Sequence, residues 1–473
     1  MRQRDCSLAT EWLTPVFPLT RLDDPIFEYS LSIEGHALRG TSMLDTLAIK
    51  GRDANLPIWR NAERAMGICQ YDSAVISGNG IGAAVLAARL NRSPEFAGRV
   101  VLASSPVAES RRLINGVTLR ARSIDYYAAA LGCDRDDVLQ EMYGADWTKA
   151  ITYRQRTSLC DVNAGNYSLR KVGTWMTSDN VKSDRTKRTP LAYGVRNSRL
   201  AGALVSLAKR AGVTHTELEA TSWDALRALA PGNRPLIVNA KPKPLADTET
   251  VWKAPSPKEF VIASQITFTD NARAAKGILN SHDAFAAFIH RDKGLDMAVL
   301  YPFQDPLSPD ARYYGIFYRV AKAGSFDKAH EYDVLTHEIV GVGDALGLEA
   351  HDIDATNGAA AVPCLPWRGL QNRQKDTLDL SYIYSGGAPI ITGDGMTRSA
   401  VAATAGAEAI LSGRDPVPEM NIALRRYRFL NWSQCRMMTH APALTAKVIG
   451  LKPNLALAGP GLSRDFDMWA GAY

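Results

Sequence analysis

The stretch that decides the fold class runs from Asp72 to Ala83 and reads Asp-Ser-Ala-Val-Ile-Ser-Gly-Asn-Gly-Ile-Gly-Ala. Its residues 73–77 form a short apolar run of strand length that ends in a glycine-rich turn. An Ala/Leu-rich helical pattern follows at 84–90, and a second apolar run follows at 99–104. Strand, glycine turn, helix and strand make a βαβ unit, which predicts an α/β fold with a parallel sheet.

Small residues stand in this turn where a dinucleotide site needs them. Gly78 permits a tight turn out of the strand, Gly80 lets the backbone approach a pyrophosphate, and Ala83 lets helix and strand pack closely. The N-terminus of the following helix would point its free N–H groups and positive dipole end at the phosphates. The alternative is an ordinary strand–helix turn that happens to be rich in glycine.

The end of the second strand departs from the usual dinucleotide pattern. An Asp or Glu normally stands there and accepts the ribose hydroxyls, but this chain has Ser104 followed by another serine. Glu109, a few residues later, is an alternative ribose contact. Arg111 and Arg112 are predicted to neutralise the pyrophosphate.

Further segments resume the α/β pattern of the βαβ unit, and a β-rich segment lies between them. An amphipathic helix at 198–211 and a buried strand at 236–240 resume the α/β pattern. Between 258 and 322, β-rich runs follow one another without intervening helices, which predicts an antiparallel sheet typical of a substrate domain. A strand at 389–392 then leads into Gly393-Asp394 and a small-residue helix at 397–412.

The second glycine motif indicates that the predicted dinucleotide site is one for FAD and not for NAD. Gly393-Asp394 resembles the GD motif of the p-hydroxybenzoate hydroxylase-like flavoproteins, and the helix end Ala409-Ile-Leu-Ser-Gly413 is similar to that of geranylgeranyl reductases. The segment from Tyr193 to Leu200 resembles a further family segment, in which an arginine commonly approaches the flavin; here Asn197 stands at that arginine's place, and Arg196 beside it is the predicted cofactor contact. At 236–241 the family's acid is replaced by Asn239, and the stretch after the GD also differs.

This resemblance implies an FAD enzyme of the oxidoreductase class, with an antiparallel substrate sheet facing the cofactor. It implies that Gly393 and Asp394 contact FAD, with Asp394 on the ribityl chain. A single dinucleotide fold, as in aromatic hydroxylases, implies NAD(P)H as reductant for a monooxygenase acting on a small organic molecule, with secondary metabolism as one setting. Reduction, cyclisation, or a flavoprotein-like binding role without redox activity are the alternatives, and no catalytic residue is identified.

The resulting fold prediction is a Rossmann-type FAD-binding domain assembled from discontinuous segments, an antiparallel substrate sheet and a helical C-terminus. The FAD-binding domain is predicted to comprise residues 71–122, 191–249 and 381–417, after an N-terminal extension at 1–70. A substrate-side insertion is predicted at 123–190, a β-rich substrate domain with a helix at 250–380, and a helical region at 418–473.

Composition excludes several other classes of protein. The net charge is +6 over 473 residues, and the sequence contains no run of like charges long enough for a nucleic-acid-binding arm. The six cysteines show no clustering, and His337-Glu338 lacks the second histidine of a zinc motif, so no metal site is predicted. Charges interrupt the N-terminal region and no bilayer-length apolar run occurs, which predicts a soluble cytoplasmic protein.

Overall fold

A parallel sheet built around Ser73–Ser77 forms the centre of the nucleotide-domain part of the molecule. The structure is a computed structural model. It describes residues 70–105, 116–163, 165–175, 190–241, 245, 259–270, 283–291, 294–302, 312–322, 327–351, 360–364, 376–380 and 395–451. All of them fall in one compact unit, Met66–Tyr473, while Met1–Ala65 is a separate unit.

The described elements are named in chain order. The strands are β1 (Ser73–Ser77), β2 (Val100–Ser104), β3 (Gly116–Arg120), β4 (Ile151–Thr152), β5 (Arg154–Asn163), β6 (Asn166–Trp175), β7 (Ala192–Arg196), β8 (Thr214–Glu217), β9 (Pro235–Asn239), β10 (Glu259–Asp270), β11 (Asp283–Arg291), β12 (Gly294–Pro302), β13 (Tyr313–Lys322), β14 (Leu348–His351), β15 (Ala360–Cys364) and β16 (Thr377–Asp379). The helices are α1 (Ile81–Asn91), α2 (Ala121–Leu131), α3 (Arg135–Tyr143), α4 (Asn197–Arg210), α5 (Trp223–Arg227), α6 (Lys328–Ala345), α7 (Gly395–Leu411), α8 (Pro416–His440) and α9 (Pro442–Leu451).

The predicted βαβ unit is confirmed. β1 is buried along its whole length, as expected of a central parallel strand covered on both faces. β1 pairs in parallel with β2 on one side and β9 on the other, giving the strand order β16-β9-β1-β2-β8. α1 and α4 pack on one face of this sheet, and α5 packs on the other.

The strand next to β9 on the far side is β16, at Thr377–Asp379. It precedes the segment 381–417 that the sequence assigned to the last nucleotide-binding part. The strand predicted at 389–392 lies outside the described residues. α7, which follows, is rich in small residues and packs against α1, α2 and α8.

The second large sheet is the predicted substrate sheet, and it is mixed instead of purely antiparallel. Its strands run in the order β14-β10-β13-β12-β11-β5-β6, with β15 also paired to β10. Six of its seven strand pairs are antiparallel, while β11 and β5 are parallel. The fold class is therefore confirmed, with one parallel pair inside the sheet.

Two parts of this sheet were missed by the sequence analysis. The hairpin of β5 and β6 lies in the substrate-side insertion at 123–190, for which the sequence predicts only helix-like pieces; β11 lies between the predicted runs at 259–269, 296–302 and 312–320. Both β5 and β11 carry charged residues that are partly hidden in ion pairs: Asp283 is buried against Arg154 and Arg156. In β5 the charged residues Arg154, Arg156 and Asp161 interrupt the apolar alternation by which a strand is recognised.

A small third sheet, β3-β7-β4, connects the two larger ones. β7 and β4 contact β12, and β3 contacts α2 and α7. The substrate sheet itself has two apolar faces. One packs on α6, and the other packs on α8 and α9 through Met438 and Ala446.

Candidate nucleotide-binding site

The glycine turn after β1 has the geometry that the sequence predicts. Gly78 has a φ of +129°, a conformation that side chains with a Cβ rarely adopt. A Cβ on Gly78 would also lie 3.0 Å from the carbonyl oxygen of Ala240. The Gly78 N–H donates a 2.8 Å hydrogen bond to the carbonyl of Ala103, which holds the turn against the end of β2.

Gly80 leaves open space at the N-terminus of α1. It is the N-cap residue, it is exposed, and a Cβ placed on it would meet no atom within 4 Å. No side chain caps the helix and no acidic residue lies in its first turn. The first N–H groups of a helix have no partner within the helix and carry its positive dipole end, so the turn fits a pyrophosphate. Ala83 is fully buried, as close packing requires.

At the end of β2, Ser104 contacts a histidine that is not among the residues predicted from the sequence. The Ser104 hydroxyl lies 2.8 Å from Nε2 of His215 on β8, and Ser104 is only 2% exposed. Partial burial lowers the pKa of His215, and the nearby Lys209 lowers it further while Glu217 opposes the shift. The serine predicted as a ribose contact is thus held within the protein by a neutral histidine.

A buried polar network joins three parallel strands at the same edge. Ser77 of β1 donates to Oδ1 of Asn239 on β9, and Nδ2 of Asn239 donates to Oδ1 of Asp379 on β16, each over 3.2 Å. The backbone N–H of Lys241 also donates to Oδ1 of Asn239 over 3.2 Å. Asn239, which replaces the family's acid, therefore crosslinks the strands as a fully buried amide.

Arg196 lies at the junction of β7 and α4. It is the N-cap residue of α4 and is half-buried, and its strand belongs to the small sheet. Its neighbour Tyr193 packs against Tyr143 and Trp147, with ring centroids 6.5 and 6.4 Å away. Burial raises the pKa of Tyr193 to about 12, so it is a neutral, structural side chain at physiological pH.

Five predicted site residues lie outside the described residues: Glu109, Arg111, Arg112, Gly393 and Asp394. α7 begins at Gly395, the residue after Asp394 in the sequence. The face of α7 toward the core carries fully buried alanines, including Ala400 and Ala403, so the helix lies close to its neighbours. The contacts predicted for Gly393 and Asp394 stay predictions.

The sequence also predicts that alternating aromatic and apolar residues of the β-rich segment, such as Phe260, Ile262, Ile266, Phe268, Tyr301 and Phe303, present one face inward as a wall of the substrate pocket, but the sheet divides them. Ile262, Ile266 and Phe268 belong to the face that packs on α6, whereas Tyr301 lies on the opposite face. Phe268 is fully buried and fills the space left by the missing side chains of Gly315 and Gly343. The expectation that all these residues line one pocket wall is wrong, because alternation on neighbouring strands sends them to two sides.

The sheet meets β7 at one end, where Tyr314 of the Tyr301 face lies near Gly194. Tyr301 stacks on Tyr314 with ring centroids 5.8 Å apart, and its hydroxyl donates to Oε1 of Gln155 over 3.4 Å. Gly194 of β7 lies against this end of the sheet, where a Cβ would approach the Pro302 carbonyl oxygen to 2.1 Å and the Tyr314 ring to 3.4 Å.

Charged residues of the substrate sheet cluster on the other face. Arg319 forms three hydrogen bonds with the buried carboxylate of Asp296, the shortest of them 2.8 Å long. By strand alternation both residues lie on the same face as the α6-facing cluster, and so does Asp283 with its two arginine partners. These ion pairs stabilise the sheet on the side away from β7.

The described residues contain neither a cluster of metal ligands nor a helix that could span a membrane. His337 contacts the Asp333 carbonyl of its own helix, and Glu338 accepts from the Tyr167 hydroxyl; within the ranges given above, no three His, Cys, Asp or Glu side chains are grouped as metal ligands would be. None of the helices described here is long and apolar enough to cross a bilayer.

Comparison with solved structures identifies the fold. The chain matches HpxO of Klebsiella pneumoniae complexed with FAD at a TM-score of 0.53 and 14% identity, over 84% of this chain and 97% of that one. HpxO complexed with FAD and uric acid matches at 0.53 and 13%, over 85% and 96%. A tetrameric 2-methyl-3-hydroxypyridine-5-carboxylic acid oxygenase matches at 0.47 and 14%, over 85% and 97%. No protein-family model and no curated sequence matches the chain.

The two HpxO matches show that the chain has the fold of the p-hydroxybenzoate hydroxylase class of flavoproteins. The resemblance drawn from the sequence is therefore confirmed at the level of fold.

Proposed function

We propose that this protein is an FAD-dependent oxidoreductase, of the monooxygenase type, which takes electrons from NAD(P)H and acts on a small organic molecule. The observation that carries the proposal is the open, uncapped N-terminus of α1 at Gly80, on the edge of a parallel sheet. The fold that surrounds it is shared with HpxO, whose structure was solved with FAD.

The residues of this edge fit the pyrophosphate of a dinucleotide. The turn leads into the uncapped N–H groups of the first turn of α1, and Gly80 leaves the space in front of them free of a Cβ. Arg111, Arg196, Gly393 and Asp394 are the further proposed contacts. When bound, FAD would supply the electron-transfer chemistry that amino-acid side chains lack.

The chain itself would position the substrate and exclude water. The proposed substrate surface is the Tyr301 face of the large sheet, because its end meets β7 through Gly194 and Pro302. Tyr301 and Gln155 give this surface polar atoms among apolar neighbours, which is the usual composition of a small-molecule site.

FAD binding and NAD(P)H oxidation test the proposal directly. Purified protein, stripped of any bound cofactor, should regain a flavin absorbance spectrum with FAD and then oxidise NAD(P)H when a substrate is present. Asp394→Ala should weaken FAD binding about ten- to hundredfold, because a charge-assisted hydrogen bond is worth roughly 1.5–3 kcal/mol. Asp224→Ala, at a side chain 87% exposed, is the matched control and should bind FAD as the unmodified protein does.

A protein that takes up no FAD under these conditions contradicts the proposal. Unchanged FAD affinity in Asp394→Ala contradicts only the assignment of that residue.

A second candidate is a nucleotide-binding protein without redox activity. The observation in its favour is that Ser104 and Asn239, which replace acids of the resembled pattern, are both hydrogen-bonded within the protein. Stable FAD binding without NAD(P)H oxidation across a panel of aromatic compounds would favour this second role.

A further inference from the structure

The adenosine end of the proposed site lacks its usual carboxylate at β2. In a Rossmann fold the ribose lies over the carboxyl end of the second strand, where an acid accepts its 2′-hydroxyl. The register here brings that position beside the glycine turn, since Ser77 pairs with Ala103 and the Gly78 N–H donates to Ala103. The residue at the strand end, Ser104, is neutral.

Ser104 is poorly placed to replace the acid by itself. Its side chain is almost fully buried and its hydroxyl is engaged by Nε2 of His215. A hydroxyl held in this way offers a ribose at most one weak hydrogen bond, whereas a carboxylate can accept two strong ones.

The neighbouring strand carries a carboxylate at the same level. Glu217 is the register partner of Ser104 in the parallel pair of β2 and β8. It stands two residues after His215, so both side chains project from the same face of β8, the face on which His215 meets Ser104. Glu217 is exposed and thus accessible to a ligand.

From this placement we infer that Glu217 is the ribose-binding acid of the nucleotide site, moved one strand across the sheet from β2 to β8. The inference rests on the proposed function, because it assumes that an adenine dinucleotide binds at the glycine turn. The hydrogen bond between His215 and Ser104 fixes β8 beside β2 and so holds Glu217 at the strand edge.

The charges around Glu217 agree with this role. His215 is close to Glu217 and to Lys209, and burial keeps the imidazole uncharged, so it does not neutralise the carboxylate. Glu219, two residues further on, is also exposed and instead faces Lys241, next to β9. It therefore provides a matched control acid from the same segment.

Calorimetric titration with ADP and 2′-deoxy-ADP tests the inference without any measurement of activity. The unmodified protein should bind ADP about tenfold more tightly than 2′-deoxy-ADP, the effect of one exposed charge-assisted hydrogen bond. In Glu217→Ala this preference should fall to about twofold or less. Glu219→Ala should keep the full preference.

The outcomes separate this inference from the proposed function. If the protein binds FAD and ADP but Glu217→Ala keeps the tenfold preference, Glu217 is not the ribose acid while the proposed function stands. If the unmodified protein binds neither FAD nor ADP, the proposed function fails and the inference fails with it.

Discussion

Gly194 offers the sharpest test of how the substrate sheet is held against the nucleotide-domain part. It lies in β7, and a Cβ at this position would lie 2.1 Å from the carbonyl oxygen of Pro302 at the end of β12. Contacts this short do not occur between real Cβ and oxygen atoms. Gly194→Ala therefore requires β7 and β12 to separate by about 1 Å, because the obstructing atom is backbone and cannot rotate away.

The size of the effect follows from the cost of overpacking. Inserting one methyl group into a packed interior typically costs about 1–3 kcal/mol, and a backbone obstruction places this case near 3 kcal/mol. With an unfolding entropy of roughly 2.1 cal/mol/K for each of roughly 400 residues, this loss corresponds to a Tm about 3–4 °C lower.

Thermal unfolding followed by circular dichroism measures this shift. Gly202→Ala is the matched control: Gly202 lies inside α4, is exposed, and has no atom within 4 Å of a Cβ position. That change should stabilise the protein by about 0.5–1 kcal/mol, since alanine favours a helix interior over glycine. If both variants melt at the same temperature, the contact between β7 and β12 is not the close approach described here.

Two further predictions concern the opposite face of the sheet and the His215 site. Phe268→Ala should lower the free energy of unfolding by about 3–5 kcal/mol in a urea titration and leave FAD affinity unchanged, because the ring fills the space against α6. Tyr301→Phe, on the other face, should keep the free energy of unfolding and alter which compound stimulates NAD(P)H oxidation. The reverse pattern would refute the assignment of the two residues to opposite faces. The pKa of His215 is lowered in the folded protein by burial and by Lys209, with Glu217 opposing, so the unfolded chain binds more protons and stability should fall as the pH drops below about 6.5. His215→Gln should lose less stability than the unmodified protein between pH 7.5 and 5.5, and equal losses would contradict the shift.

The core around β1 was predictable from the sequence because its determinants are local. A buried parallel strand reads as a continuous apolar run, and β1 has the predicted bounds Ser73–Ser77. The turn requires glycine at Gly78 for its backbone conformation alone, so the residue type carries the signal directly. α4 and α7 likewise begin and end within two residues of their predicted bounds.

The sequence did not predict which residues of the substrate sheet share a face. Alternation shows that a strand has two faces, but it does not say which face of one strand aligns with which face of the next. That relation depends on the register of β10, β12 and β13, which is set by long-range pairing. For this reason Phe268 and Tyr301 were assigned to one wall although they lie on opposite sides.

The sequence by itself determined the βαβ unit, the fold class and the absence of an acid at the end of β2. Only the tertiary structure decided which carboxylate lies beside that position. Ser104 and Glu217 are 113 positions apart in the chain, and parallel pairing of β2 with β8 makes them neighbours. Parallel strands are joined by long crossovers, so their contacts leave no periodic signal along the sequence.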